Sequence, residues 1–301
     1  MEGDVNFLES NNDDCTVEIN GENQRAKLVV PAISSETPVI SESYELAVSK
    51  GKIPNHYTID KYGENPEIDT GSTPEDIWEY GGEYTYDSYG TAPIVSLVSD
   101  NALDTQIISV EGLDIIGDFV SQDITLTGNI RKALDTPLWR VFRMGNEADD
   151  GNDINGVVYC YTGVGNVPLS TEIRAIIDNG NNQTLMALYT LRRGRVGFLY
   201  RGEIGASRGV AAAECRAAYY SRRLEKVFKV KKRVNVSNSG SSIYQDKRSF
   251  PDIIPALTDI KLRIEMVSSN DLGTFGTFDI MEVDESEFST EYLQAIGQPG
   301  H

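Results

Sequence analysis

The chain is short of the residues on which most catalytic and metal sites depend. It has two histidines among 301 residues, His56 and His301, and three widely spaced cysteines, Cys15, Cys160 and Cys215. Without a CxxC pair or clustered His and Cys, a zinc centre is excluded. An odd cysteine count argues against a secreted disulfide framework and for reduced, mostly buried thiols in a protein assembled in a cytosol. No apolar run approaches the eighteen residues of a spanning helix. The opening Met1-Glu-Gly-Asp-Val5 lacks the basic start and apolar stretch of a secretion signal. Basic residues are scarce too: 27 Lys and Arg against 46 Asp and Glu leave a net charge of −19. Such a surplus disfavours a chain that coats nucleic acid or an anionic membrane. No GxSxG elbow or phosphate-cradling loop occurs. Gly163-Val-Gly165-Asn-Val-Pro168 starts like a dinucleotide fingerprint, but proline replaces the third glycine and no helical pattern follows, so it reads as a turn.

What remains is rich in short alternating strands. Residues 1–45 read as an extended, acidic N-terminal arm, with two prolines and several β-branched residues between 28 and 40. Residues 46–90 form a Gly- and Tyr-rich stretch without periodicity, read as a long irregular loop. Residues 91–283 alternate in strand fashion. Candidates run from Ile94–Val98, Thr105–Leu113, Phe119–Thr127 and Leu138–Met144 through Val157–Tyr161, Glu172–Ile177 and Leu185–Leu191. Arg195–Ile204, Ala211–Tyr220 and Glu225–Val234 suggest a meander. Ile260, Leu262, Ile264 and Met266 alternate with Lys261, Arg263 and Glu265, the mark of a half-buried strand. Its expected partner is Thr277–Val283, across the Ser-Ser-Asn-Asp-Leu-Gly turn. Helix is expected at only two places: a single turn at Thr73–Trp78, with Pro74 at its first position, and a terminal segment at Ser286–Ile296 within an acidic tail, residues 284–301. The fold class is therefore all-β, of β-sandwich or jelly-roll type. A division into two sandwiches near residues 145–170 stays open.

Charge is unevenly spread. Residues 192–248 contain fifteen Lys and Arg against Glu203, Glu214, Glu225 and Asp246, a surplus of eleven, which leaves −30 on the rest. The densest part supplies Arg222, Arg223, Lys226, Lys229, Lys231, Lys232 and Arg233. One reading is a solvated strand face that offsets its acidic surroundings. The other is contact with an acidic neighbour, for which these seven residues are the subunit-contact candidates. Tyr219, Tyr220 and Phe228 are interleaved as in a single-strand binder, but the −30 elsewhere would repel a polyanion, so nucleic acid is the minority option.

Chemistry is harder to find. Glu147 to Gly156 offers many oxygen ligands, yet an EF-hand frame would begin at Gly151 and carry Thr162 where glutamate is required, so it reads as a solvated turn. Carboxylates are so abundant that no pair stands out for glycoside hydrolysis. Trp78, Tyr80 and Tyr84 are aromatic enough to stack on sugars, or simply to anchor a long loop by packing. No catalytic residue, cofactor or metal is assigned.

Asn65-Pro-Glu-Ile-Asp69-Thr-Gly71-Ser-Thr-Pro-Glu-Asp-Ile-Trp78-Glu-Tyr-Gly81-Gly82-Glu-Tyr84, preceded by Lys61-Tyr-Gly63, resembles a block near the start of structural proteins of tailed, often marine, bacteriophages. Their closing strands have the form Pro-x-x-Thr-Asp-Ile followed by Phe-Asp, similar to Pro255-Ala-Leu-Thr258-Asp259-Ile260 and Phe278-Asp279. The likeness brackets residues 50–283 and is dense only at its two ends. It implies a non-enzymatic virion component, most simply one that decorates or cements a capsid and is assembled in the host cytoplasm. Its expected partners are the major capsid protein or other virion proteins and further copies of itself, as a trimer or larger, with no membrane. The alternative is a carbohydrate- or receptor-binding module that uses Trp78, Tyr80 and Tyr84.

Overall fold

In the computed structural model the described residues are 42–147, 151–207, 213–237 and 243–300, together with three short strands before them. These strands, β1 (Phe7–Glu9), β2 (Cys15–Val17) and β3 (Ala26–Leu28), form an antiparallel sheet in a unit of their own, Met1–Ala47. Most of the expected arm, residues 1–45, lies outside the described residues. Helix α1 (Tyr44–Ser49) follows, its Leu46 N–H donating to Ser43 Oγ at 3.3 Å.

The second unit, Val48–His301, begins one sandwich, leaves it, completes another and returns. It opens with β4 (His56–Ile68) and the two-residue β5 (Glu75–Asp76). The chain then builds β6 (Ile94–Ser99), β7 (Ile107–Leu113), β8 (Phe119–Thr125), β9 (Lys132–Leu138), β10 (Arg140–Asn146), β11 (Val158–Tyr161) and β12 (Ile173–Ile177). These seven strands form two sheets, in orders β10-β7-β8 and β12-β11-β6-β9. Ile108, Val110 and Met144 of the first meet Leu97, Leu138, Val158 and Cys160 of the second in one apolar core.

The return supplies β13 (Leu188–Thr190), β14 (Arg195–Ser207), β15 (Glu214–Arg222), β16 (Lys229–Ser237), β17 (Ile243–Ile254), β18 (Asp259–Val267) and β19 (Leu272–Asp284). One sheet has the order β13-β18-β15-β16, with β5 on β18; the other is β17-β14-β19-β4. Their facing sides, among them Ala217, Leu262 and Ile264 against Leu199, Phe278 and Ile280, form a second core. A short helix, α2 (Thr290–Ile296), closes the unit, capped by Ser289 at its start and by Gly297 at φ 71° at its end. The all-β sandwich class holds.

Several expectations about local structure need correction. The stretch 46–90 is not an irregular loop throughout, because it contains the thirteen-residue β4. Thr73–Trp78 is not a helical turn. Its acids point inward instead: Glu75 Oε2 accepts from the Gly82 N–H at 2.7 Å, and Asp76 Oδ2 from the Tyr84 N–H at 2.8 Å, so the segment runs as strand β5. β18 and β19 do not pair with each other but lie in opposite sheets, and β14 and β15 do likewise; of the proposed meander only β15–β16 is a hairpin. No boundary lies near residues 145–170, since Met144, Ile154, Val158 and Ala175 share one core.

The two cores meet along a seam made by strand alternation. Side chains two apart face the same way along an extended chain. Accordingly, Met186 and Leu188 enter the first core, whereas Ala187, Tyr189 and Leu191 enter the second. Ile77 and Trp78 divide in the same way, and Trp78 bridges Met186. β4 crosses this line closely at Gly63, where an added Cβ would sit 2.1 Å from the Ala187 nitrogen. Only glycine fits there.

Candidate functional site

The residues that carry the phage resemblance converge on this seam. Asp76 is fully buried; it accepts from Lys261 Nζ at 2.9 Å and from Arg263 Nε at 2.7 Å, both on β18. Asn65 donates to Glu75 Oε2 at 2.9 Å. In the second block, Ala256 to Ile260 are all buried. Asp259 takes Arg140 Nε at 3.0 Å from β10 of the first sandwich, Thr190 Oγ1 at 2.6 Å, and Arg222 Nε at 2.9 Å. Phe278 lies in the second core. The cations also stack: Arg222 sits 4.6 Å and Lys261 4.4 Å from the Phe228 ring centre, and Arg140 lies 5.0 Å from that of Tyr86. Buried charges cost several kcal/mol each unless paired and hydrogen-bonded. Here each of these charges is paired, while the buried Tyr86 hydroxyl and Thr258 Oγ1 have no hydrogen-bond partner among the described residues.

The seven basic candidates divide. Arg222 is tied to Asp259, Lys232 to Asp246 at 2.6 Å, and Arg233 to Glu265 at 2.8 Å. Arg223, Lys226, Lys229 and Lys231 are exposed and have no carboxylate partner among the described residues. They run along the β15–β16 hairpin and β16, which among the described strands pairs only with β15, with Val227 and Val230 exposed between them. The basic surplus is therefore partly internal neutralisation and partly an unpaired cationic edge.

The aromatic candidates divide as well. Trp78 and Tyr84 are core residues, each 4% exposed, with rings 5.0 Å apart and edge to face. Trp78 Nε1 donates to the Gly82 carbonyl at 3.1 Å. Both act as anchors, which removes them from any ligand surface. Tyr80 alone reaches solvent, its ring 5.4 Å from Trp78. Its loop is held by Glu79, which accepts from the Asp178 N–H at 3.3 Å and from Asn181. Burial pushes the Glu79 carboxyl up to about 7.

The remaining candidates carry little chemistry. His56 Nδ1 lies 2.7 Å from the Pro54 carbonyl and serves the turn. In the loop 147–156, residues 148–150 lie outside the described residues; Asp153 Oδ1 accepts from Asn182 at 2.7 Å. Cys160 and Cys215 are buried free thiols, which burial pushes up to about 12 and about 11; Cys15 lies in β2, whose side chains are not described. Among the described residues one carboxylate trio could gather round a cation, Glu67, Asp69 and Asp271, with Asp69 already accepting the Asp271 N–H at 3.0 Å.

Sequence reading missed Lys61 as an individual residue. Its Nζ donates to the Phe142 carbonyl at 2.6 Å, and burial, aided by Arg143, lowers its pKa to about 7. The only signal was a lysine on the same face of β4 as Gly63 and Asn65, which no hydrophobic pattern marks.

No family model and no curated protein matches this chain. Among solved structures, the VP2 subviral particle of infectious bursal disease virus is similar at 11% identity over 78% of this chain and 73% of that one, with a TM-score of 0.21. The Gt strain of the same virus gives 12% identity over 78% and 75%, with a TM-score of 0.23. Both come from infectious bursal disease virus rather than a tailed phage. At such TM-scores the likeness carries no argument, and the sandwich fold rests on the sheets themselves.

Proposed function

We propose that this chain is a non-enzymatic structural component of a virion that decorates or cements a capsid through subunit contacts. The observation that carries this reading is the placement of the resemblance-bearing residues. Asn65, Asp76, Trp78, Tyr84, Thr258, Asp259 and Phe278 are all buried, and Asp76 and Asp259 organise the seam between sandwiches. In this reading the likeness to phage structural proteins lies in residues that hold the fold together.

The contact surface in this reading is the edge of β16, which pairs only with β15 among the described strands. An exposed edge strand is a template for another chain, and lysines on it repel a second copy of the same edge while admitting an acidic neighbour. Repeated copies of a chain that is otherwise strongly acidic provide such neighbours, as does a capsid surface.

Light scattering tests the proposal, on the purified protein alone and mixed with empty heads of a tailed phage that encodes it. A trimer or larger ring that co-sediments with heads, and dissociates as salt is raised, is the expected result. A monomer that ignores heads at low salt overturns it.

A further inference from the structure

The outer face of the β12-β11-β6-β9 sheet carries a groove of about 620 Å³, within the size range of small-ligand sites. Its floor follows from strand alternation. Val158 and Cys160 enter the first core, so Tyr159 points outward, flanked in register by Val98 and Ile176. One wall is Tyr80; the other comes from the loops bearing Asn129, Ile130 and residues 166–170.

The lining has an uncommon chemistry. Two aromatic rings, Tyr80 and Tyr159, border it together with Asp100, Asn129, Asn166 and Ser170. Asp100 uses Oδ1 on the Val157 N–H at 2.8 Å, and Asn166 uses Oδ1 on the Arg131 N–H at 3.0 Å. Asp100 Oδ2, Asn166 Nδ2, the Asn129 amide, Ser170 Oγ and both tyrosine hydroxyls have no hydrogen-bond partner among the described residues. No lysine or arginine lines the groove. Donors and acceptors thus lie beside the two rings and the apolar Val98, Ile130, Val167, Pro168 and Ile173, without a cation for a phosphate, sulfate or carboxylate.

We propose that this groove binds a neutral saccharide, its C–H faces against Tyr80 and Tyr159 and its hydroxyls on Asp100, Asn129, Asn166 and Ser170. A chain of hydroxyls on a ring with apolar faces is the ligand that satisfies both halves of the lining. Tyr80 is placed in advance by the Trp78 ring and by Glu79, so little ordering cost falls on binding. The site is independent of the capsid-contact reading, because the β16 edge belongs to the other sandwich.

The test is an array of neutral hexose and N-acetylhexosamine oligosaccharides with sialylated and sulfated counterparts, followed by titration of the best neutral binder. Binding to neutral members is expected, weakened about tenfold or more by Tyr80→Ala and by Asn129→Ala, as for a central contact. Both positions are solvent-facing, and unchanged thermal melts establish that the variants fold. Three results would overturn the proposal: no neutral saccharide bound at 10-millimolar scale, binding confined to the anionic members, or neutral binding indifferent to both variants. If instead Val167→Glu alters the molar mass while no sugar binds, the groove is a protein contact and the proposal fails.

Discussion

Arg222 and Arg223 are adjacent in sequence, yet one ends in the seam and the other in solvent. Arg222 completes the shell of Asp259, shared with Arg140 from the opposite sandwich, and lies against Tyr86 and Phe228. Arg223 stands at the hairpin beyond the strand end, without a carboxylate. The same contrast separates Lys261, buried on Asp76, from Lys229 and Lys231 on the β16 edge. A charge surplus counted along a segment therefore mixes two populations: cations that hold buried carboxylates, and cations that face solvent. Lys61 adds a third setting, a buried cation whose hydrogen-bond acceptor is a backbone carbonyl.

The comparison breaks most visibly at Asp76. Asp76→Ala takes the buried carboxylate from Lys261 and Arg263 and leaves them only the exposed Glu83, 3.9 Å from Lys261 Nζ and 2.5 Å from Arg263; a loss of about 3 kcal/mol is expected in urea unfolding. A loss below about 1 kcal/mol would mean that the seam is wetter than its geometry.

Lys61 gives a pH signature. Its folded pKa, about 7, lies below the unfolded value near 10.5, so between these limits the unfolded chain binds more protons. Stability then rises with pH from about 7 to 10 at up to about 1.4 kcal/mol per unit from this group. Below pH 7 both states are protonated and the burial cost is fully present. Lys61→Met should flatten the slope in that window; identical slopes in both proteins would refute the assignment.

Arg222→Ala and Arg223→Ala test the neighbours directly. We expect about 1–3 kcal/mol for the first, whose loss leaves Asp259 short of a charged donor, and less than about 0.5 kcal/mol for the second. Equal effects would erase the distinction between seam and edge.

The smallest stability effect, with the largest effect on assembly, belongs to the edge. Lys229→Glu with Lys231→Glu should leave the melt within about 0.5 kcal/mol of the parent while lowering the molar mass seen by light scattering. An unchanged molar mass would place the contact elsewhere.

Strands with an apolar face were legible in the sequence: β6, β7, β10, β11 and β18 were found within a few residues of their ends. β4 was invisible because its inward face is Lys61, Gly63 and Asn65, which alternate correctly but are not hydrophobic. β4 and β17 are also the two edges of their sheet, and each holds a proline, Pro66 and Pro251, that reads as a break and is tolerated at an edge. Alternation fixes which face of β18 is buried but not its partner, so its pairing with β15 rather than β19 was beyond reach. The basic segment was visible as a count. Its division into paired and unpaired cations depends on Asp259 and Glu265, brought in from β18 beyond the segment, and on Asp246 of β17 within it. For the aromatic cluster, composition could mark Trp78, Tyr80 and Tyr84 but not which ring faces out, and Tyr159 in the groove carried no signal of its own.

The long excursion between β5 and β13 has a consequence for biogenesis. Among the described strands β4 has β19 as its one ladder partner, with Ile68 opposite Leu272 and His56 opposite Val283. At ribosomal speeds of about 5–20 residues per second, the roughly 200 intervening residues leave β4 waiting about 10–40 seconds for its mate. The inserted sandwich is synthesised whole during that wait, and it can condense first and offer Arg140 and the Leu188 face as a platform. An emerging β4 that is hydrophilic, glycine-bearing and interrupted by proline is a poor nucleus for aggregation. The features that hid this strand from sequence reading are those that let it remain single until its partner leaves the ribosome.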